Sequence, residues 1–262
     1  ELISKFAGGI LSVSAGLSLG REGPSVQIGS YVGCLVSRWT HILKGERKQL
    51  LAAGAGAGLA AAFAAPLASS LIVIESIERF DAPKTAITTL LAGVVAGVIA
   101  TLVFPVNPYH LIEVSEPALA FWVQMKYFLI LAVIISIVGK LYAAIMISFK
   151  RVYSAVKSPT SVKMFYLVLV AYIISLMQVN LTGGGEQFLL EQAQNGSTEM
   201  MWVLAVMLLH FGFSVCSVSS GLPGGNFIPT LVTGGLLGRF VGLIAVKYGI
   251  IGHESVTYVM LI

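Results

Sequence analysis

Residues 12–36, SVSAGLSLGREGPSVQIGSYVGCLV, align without gaps on residues 217–241, SVSSGLPGGNFIPTLVTGGLLGRFV, at a constant offset of 225 − 20 = 205. Ser12, Val13, Ser14, Gly16, Leu17, Gly20, Pro24, Gly29, Gly33 and Val36 meet identical residues in the second copy. The identities fall on turn glycines, on the prolines Pro24 and Pro229, and on small residues one helical turn apart. Those are positions where backbone geometry restricts choice. A chain built this way is a duplicated unit, and each copy is an apolar segment interrupted by Gly and Pro. One position separates the copies chemically: Glu22 is matched by Phe227.

The interruptions lie in a strongly apolar background. The chain is 56% hydrophobic and 11% charged, with a mean hydropathy of +0.89. That composition fits a polytopic, all-helical membrane protein and hardly fits a soluble domain of 262 residues. The net charge of +4 needs no nucleic-acid partner, because the basic residues gather in loops as the positive-inside rule expects. The partner implied is the lipid bilayer. Cys34 and Cys216 sit in apolar runs without metal or redox spacing and read as small buried hydrophobes. No cofactor is expected. The chain opens ELISKFAGGI without an initiator Met, already inside an apolar segment, which predicts a piece of something longer.

Against this background Gly20-Arg21-Glu22-Gly23-Pro24 is chemically conspicuous. One charge at membrane depth costs ~2.5–3.5 kcal/mol on insertion scales, so an adjacent Arg and Glu need a reason. The pattern predicts a helix start inside the membrane. Gly20 and Gly23 let the backbone turn and approach a ligand, and Pro24 suits a first turn where its missing N–H has no partner to lose. The amides of such a turn, with the positive end of the helix dipole, favour an anion, and a carboxylate on the same turn can take that place when the anion leaves. An acid among apolar groups, Arg21 and helix amides can also exchange a proton as anions pass. In the second copy, Gly225 and Pro229 frame Asn226, Phe227 and Ile228, whose backbone reads as a second cradle of amides. Paired, Gly/Pro-interrupted apolar segments point to a transporter's midplane site.

The remaining chain organises around these two motifs. A polar loop from Arg38 to Gln49 is expected on the cytoplasmic side. Leu50–Ile74 is Gly/Ala-rich and long enough for two helices broken near Pro66, closed by Glu75, Glu78, Arg79 and Asp81. Thr85–Phe104 is expected to cross to a loop holding Glu113 and Glu116, and Ala118–Phe149 to return as a long, tilted helix. Met164–Leu181 crosses again to the Gly-rich, acidic stretch TGGGEQFLLEQAQNGSTE, and Met201–Val218 leads into the second motif. The whole reads as one transmembrane domain, residues 1–262, with a first repeat over about 1–110 and a second over about 118–262. Gly29 with Gly33, Gly54 with Gly58, Gly93 with Gly97 and Gly234 with Gly238 are helix-packing pairs.

Plainer readings compete with these. Arg21 and Glu22 could form a structural ion pair fixing a helix start, but a pair serving structure alone is expected in both copies or neither. The backbone around Asn226 could be only a tight turn. Glu75 and Glu78 read as solvated carboxylates at a helix end. His41, His110, His210 and His253 lack spacing for a metal or a triad, and only His210 lies deep in an apolar run. An intramembrane enzyme is a distant alternative: it would need several converging titratable groups, and only the Arg21–Glu22 pair lies deep beside polar serines.

Three stretches carry a resemblance: GREGPSVQIG at 20–29, GLAAAFAAPLA at 58–68 and SGLPGGNFIPTL at 220–231 resemble the CLC family of chloride channels and chloride/proton antiporters, in family-like order over nearly the whole chain. The resemblance implies an inverted-repeat membrane fold with broken and re-entrant helices. It implies a homodimer with one anion path per subunit, in a cell membrane taken as the bacterial plasma membrane. Glu22 matches the gating glutamate that blocks the external anion site and accepts protons. Gly23 and the Asn226, Phe227 and Ile228 backbone would bind chloride. Arg21, Gly20, Pro24, Gly225 and Pro229 would support them. The expected function is anion transport, chloride in exchange for protons, with no enzymatic activity.

The family pattern is departed from in three places. A serine-containing motif upstream and a pore tyrosine downstream are both absent, which predicts truncation at both ends. The third departure concerns proton coupling. Family antiporters carry two successive carboxylates after the motif that Ala64-Ala65-Pro66-Leu67 matches, and here Glu75 is followed by Ser76. Glu75 or Glu78 substitutes as the inner proton relay, or water carries the proton, or the path is a passive chloride channel or a fluoride exporter; the sequence leaves these open.

Overall fold

Apolar runs of unequal length, cut by Gly and Pro, dictate helices of unequal length. The computed structural model describes residues 2–40, 44–78, 83–104, 121–177, 180–196, 198–252 and 255–261, without the side chains of 44–45, 77–78, 121, 123–124, 127, 160, 258 and 261. The described elements are helical: α1 (Leu2–Ser14), α2 (Glu22–Trp39), α3 (Lys44–Phe63), α4 (Pro66–Val73), a π turn (Ile74–Glu78), α5 (Pro83–Val103), α6 (Phe121–Ala155), α7 (Thr160–Leu176), α8 (Glu186–Asn195), α9 (Met200–Ser219), α10 (Phe227–Lys247) and α11 (Val256–Leu261). Four stretches, Pro83–Val103, Phe128–Ala155, Met200–Ser219 and Phe227–Lys247, are long and apolar enough to cross a membrane. The expected loop with Glu113 and Glu116 lies outside the described residues, as do His41, His110 and His253.

The stretch expected as a polar loop is partly helical, and the Gly-rich, acidic stretch carries a helix of its own. The charged run Lys44–Gln49 forms the first turns of α3, because Glu, Arg, Lys and Gln are strong helix formers and the Ala-rich run beyond them continues the helix. The Gly-rich acidic stretch contains α8, which buries Phe188, Leu189, Gln192 and Ala193 on one face. The break at Pro66 falls as its ring requires. Ala64 turns the chain there in the left-handed region (φ 50°), and Pro66 opens α4.

The chain groups into two compact units. One comprises Glu1–Leu11, Arg21–Leu111 and Pro223–Gly225; the other comprises Ser12–Gly20, Ile112–Leu222 and Asn226–Ile262. In the first, α3 lies against α2, α4 and α5. A Cβ at Gly29 would overlap the carbonyl of Gly54, and one at Gly54 the carbonyl of Gly29; Gly33 and Gly58 meet the backbone at Leu50 and Ser25 in the same way. The α2 and α3 backbones therefore touch directly, which apolar side chains in lipid could not achieve. In α5, Gly93 receives the Ser70 hydroxyl of α4, which donates to the Pro66 carbonyl (2.7 Å), and Gly97 receives the Pro66 ring.

In the second unit α10 is the central element, flanked by α6, α8, α9 and α11. It buries Ile228, Pro229, Val232, Leu236 and Leu243 along its length. Arg239 is also buried here. Its Nη1 donates to the main-chain oxygen of Gln192 (2.6 Å) in the last turn of α8, where the helix dipole favours a cation. Gly196, just past α8, lies against the guanidinium so closely that a Cβ would overlap Cζ and Nη2.

Candidate functional site

The duplicated segments adopt the same backbone states residue for residue from 11–22 and 216–227. α1 ends at Ser14 and α9 at Ser219, an offset of 219 − 14 = 205. Gly16 and Gly221 follow at φ 78° and 76°, a left-handed conformation that glycine adopts without cost. Arg21 and Asn226 then stand at the caps of α2 and α10, so Glu22 and Phe227 each open a helix. Pro24 and Pro229 occupy the third helical position in both, where a missing N–H breaks no intrahelical bond.

In the first unit, Glu22 is the first residue of α2 and only 6% exposed. Its carboxyl packs against Gly225: a Cβ there would overlap Oε1 and Cδ. A Cβ on Gly23 would lie 2.9 Å from the Gly224 carbonyl and 3.0 Å from the Gly225 nitrogen. So the start of α2 and the turn Pro223–Gly225 of the second motif meet backbone to backbone. α1 seats both motifs, since Gly9 lies under the Pro24 ring and Gly8 under the Pro223 ring, 3.1 and 3.0 Å from where a Cβ would sit. Arg21 contributes its carbonyl, which accepts from the Ser25 amide (3.1 Å) and hydroxyl (2.9 Å). Glu75 lies exposed in the π turn, and the Glu78 side chain falls outside the described parts.

In the second unit, Asn226 caps α10 with its carbonyl, which accepts from the Thr230 amide at 3.0 Å. Ile228 is 4% exposed, and a Cβ on Gly184 would lie 2.7 Å from its Cγ2; Pro229 is fully buried, whereas Phe227 is half-exposed. Ser18 and Gly20 belong to this unit. The Ser18 amide donates to Ser217 Oγ (3.2 Å), and Ser18 Oγ stands 3.5 Å from His210 Nε2. Across the ring, Nδ1 lies 3.3 Å from Thr233 Oγ1, which donates to the Pro229 carbonyl at 2.9 Å. The imidazole thus stands between the Ser18 and Thr233 hydroxyls, and the tautomer decides which ring nitrogen donates. This buried chain ties the first motif's turn to α10.

Sequence reasoning located the motif residues but missed the partners of Asn226. Tyr142, from α6, donates its hydroxyl proton to Asn226 Oδ1 (3.0 Å), and Thr230 Oγ1 stands 3.1 Å from the same phenol oxygen. A tyrosine inside an apolar helix was the available signal, because a buried phenol generally finds a partner.

A family model described as "Voltage gated chloride channel" matches residues 1–262. The H(+)/Cl(−) exchange transporter ClcA of Cronobacter sakazakii is 33% identical over 251 residues, 91% of this chain and 52% of that protein. Its counterpart in Citrobacter koseri is 33% identical over 248 residues, with 92% and 52% covered. The crystal structure of a slow cyanobacterial Cl−/H+ antiporter superposes with a TM-score of 0.82 at 26% identity, covering 95% of this chain and 59% of that one. A CLC-type fluoride/proton antiporter shares the fold at a TM-score of 0.74 and 22% identity, with 94% and 60% covered. The chain spans about half the length of the curated relatives it matches.

Proposed function

The chain belongs to the voltage-gated chloride channel family, and from that membership we propose that it forms part of a path that carries chloride across a membrane in exchange for protons, gated by Glu22. It is an integral membrane protein, and the bacterial plasma membrane is its proposed location. The observation that carries the reading is the buried Glu22 carboxyl at the start of α2, packed on Gly225 one residue before the cap of α10. A carboxylate at a helix start occupies the kind of place an anion takes. When Glu22 is protonated its charge no longer competes, and chloride enters; when chloride leaves, the carboxylate returns.

Gly23 and the backbone of Asn226, Phe227 and Ile228 are the proposed chloride donors. Gly20, Arg21, Pro24, Gly225 and Pro229 set their geometry. Glu75 and Glu78, in the π turn, are the proposed inner proton relay; π turns recur at functional sites. A homodimer with one path per subunit is the proposed assembly.

The test is Glu22→Gln in the full-length protein reconstituted in liposomes. Chloride flux is expected to persist while proton flux falls to background. Unchanged proton-coupled flux would sink the assignment, and a wild-type protein that moves chloride without protons would make the path a passive channel.

A further inference from the structure

The charge around the end of α6 has one sign. Between Glu116 and Glu186 the chain contains no acidic residue, while Lys150, Arg151, Lys157 and Lys163 follow one another across the last turns of α6 and the first turn of α7. Lys163 has a structural task. Its ammonium donates to the Tyr153 carbonyl at 2.9 Å and lies 4.7 Å from the centre of the Tyr153 ring, so it fastens α7 to the end of α6. Lys150, Arg151 and Lys157 are exposed and, among the described residues, have no acidic partner.

Beside these cations α6 carries a shallow groove of about 340 Å³, lined by Ala144, Ile145, Ser148, Phe149 and Val152. The spacing puts the lining on one helix face. Arg151 stands three residues past Ser148 and seven past Ala144, so it closes the same face at the end of the helix. The Phe149 ring packs on Tyr153 at 6.4 Å between centroids, which joins the groove wall to the residue that Lys163 holds. The positive-inside rule accounts for basic residues at this end of α6, but not for a concave apolar seat next to them.

We propose that this groove and its cationic end hold an anionic phospholipid: an acyl chain lies along Ala144–Val152, and Arg151 takes the phosphate. A guanidinium fork matches phosphate oxygens, and Lys150 and Lys157 add to the positive potential that attracts an anionic headgroup. The charge selects the lipid and the groove holds its chain, so neither part suffices alone. The inference stands apart from the chloride-path reading.

Phosphatidylglycerol titrated into the full-length protein in a neutral detergent, with bound lipid counted by native mass spectrometry, tests this. The wild-type protein is expected to retain phosphatidylglycerol in preference to phosphatidylcholine. Arg151→Gln is expected to weaken phosphatidylglycerol about fivefold, and Lys150→Gln, Arg151→Gln and Lys157→Gln combined by roughly a hundredfold, at about fivefold per charge. Ala144→Trp, at an exposed position, fills the groove with every charge in place and is expected to release the lipid as well; it keeps the test open should the triple variant not fold. Glycerol phosphate, the soluble headgroup, is expected not to displace the lipid at equal concentration. Equal retention of the two lipids, as when another segment of the full-length chain covers the groove, would overturn the inference. So would unchanged binding in the charge or groove variants, or displacement by glycerol phosphate, which would leave only a site for free phosphate.

Discussion

The Glu22 carboxyl and the α-carbon of Gly225 are in direct contact, close enough that a methyl group on Gly225 would overlap both Oε1 and Cδ. The glycine is one residue before the cap of α10, so the acid of one motif is fitted to the turn of the other. Any side chain at 225 must displace the acid.

Gly225→Ala is therefore expected to push the carboxyl out of its seat and to cut proton-coupled chloride turnover about tenfold or more; that corresponds to ~1.4 kcal/mol, within the usual cost of overpacking a tight site. In Glu22→Ala, where the colliding atoms are gone, the same substitution should have little further effect. Paired liposome fluxes of the two single variants and the double variant check this, and equal losses in both backgrounds would contradict it.

On the chloride-path reading, the Glu22 carboxylate is the group that competes with chloride. Glu22→Gln replaces it with a neutral side chain of the same size, so chloride flux through that variant is expected to be independent of an imposed proton gradient. A Gln variant whose chloride flux still follows the proton gradient would speak against the assignment.

Backbone contact between α2 and α3 predicts a contrast among glycines. Gly54→Ala drives a methyl group into the Gly29 carbonyl and is expected to cost ~1–3 kcal/mol, as overpacked sites do. Gly139→Ala, in α6 with nothing within 4 Å of the new atom, should be neutral or stabilising by up to ~1 kcal/mol through helix propensity. Melting temperatures in detergent should separate the two variants in that order.

Arg239 makes a fourth prediction. Arg239→Met keeps much of the volume but leaves the Gln192 carbonyl without its buried donor, at an expected cost of ~2 kcal/mol, read as a lower melting temperature. Arg239→Lys should fall between, since an ammonium keeps the charge at the end of α8 but loses the planar fork that lies on Gly196.

Much of the local geometry was legible because glycine and proline leave the backbone few options. Gly16 and Gly221, at the same place in each copy, take the same left-handed conformation, and Pro66 opens a helix where its ring demands a break. Polarity misled where it was read as loop: Lys44–Gln49 is charged and also strongly helix-forming, and in α8 the buried set Phe188, Leu189, Gln192 and Ala193 was masked by flanking glycines. The placement of Glu22 at the first position of α2 followed from Gly23 and Pro24. Tyr142 on Asn226 did not, because that bond joins residues 84 apart and no periodicity encodes a pairing at such range. The ring of His210, with a hydroxyl at each nitrogen, was invisible for the same reason.

One peptide unit of α1 has a consequence of its own. Gly8 and Gly9 are consecutive, and each carries a proline from a different copy of the repeat. Neighbouring helical residues point about 100° apart around the axis, so the two rings bear on α1 from different sides of a single link. A side chain at either glycine would therefore push on the proline of one copy alone, although the two seats are a single residue apart.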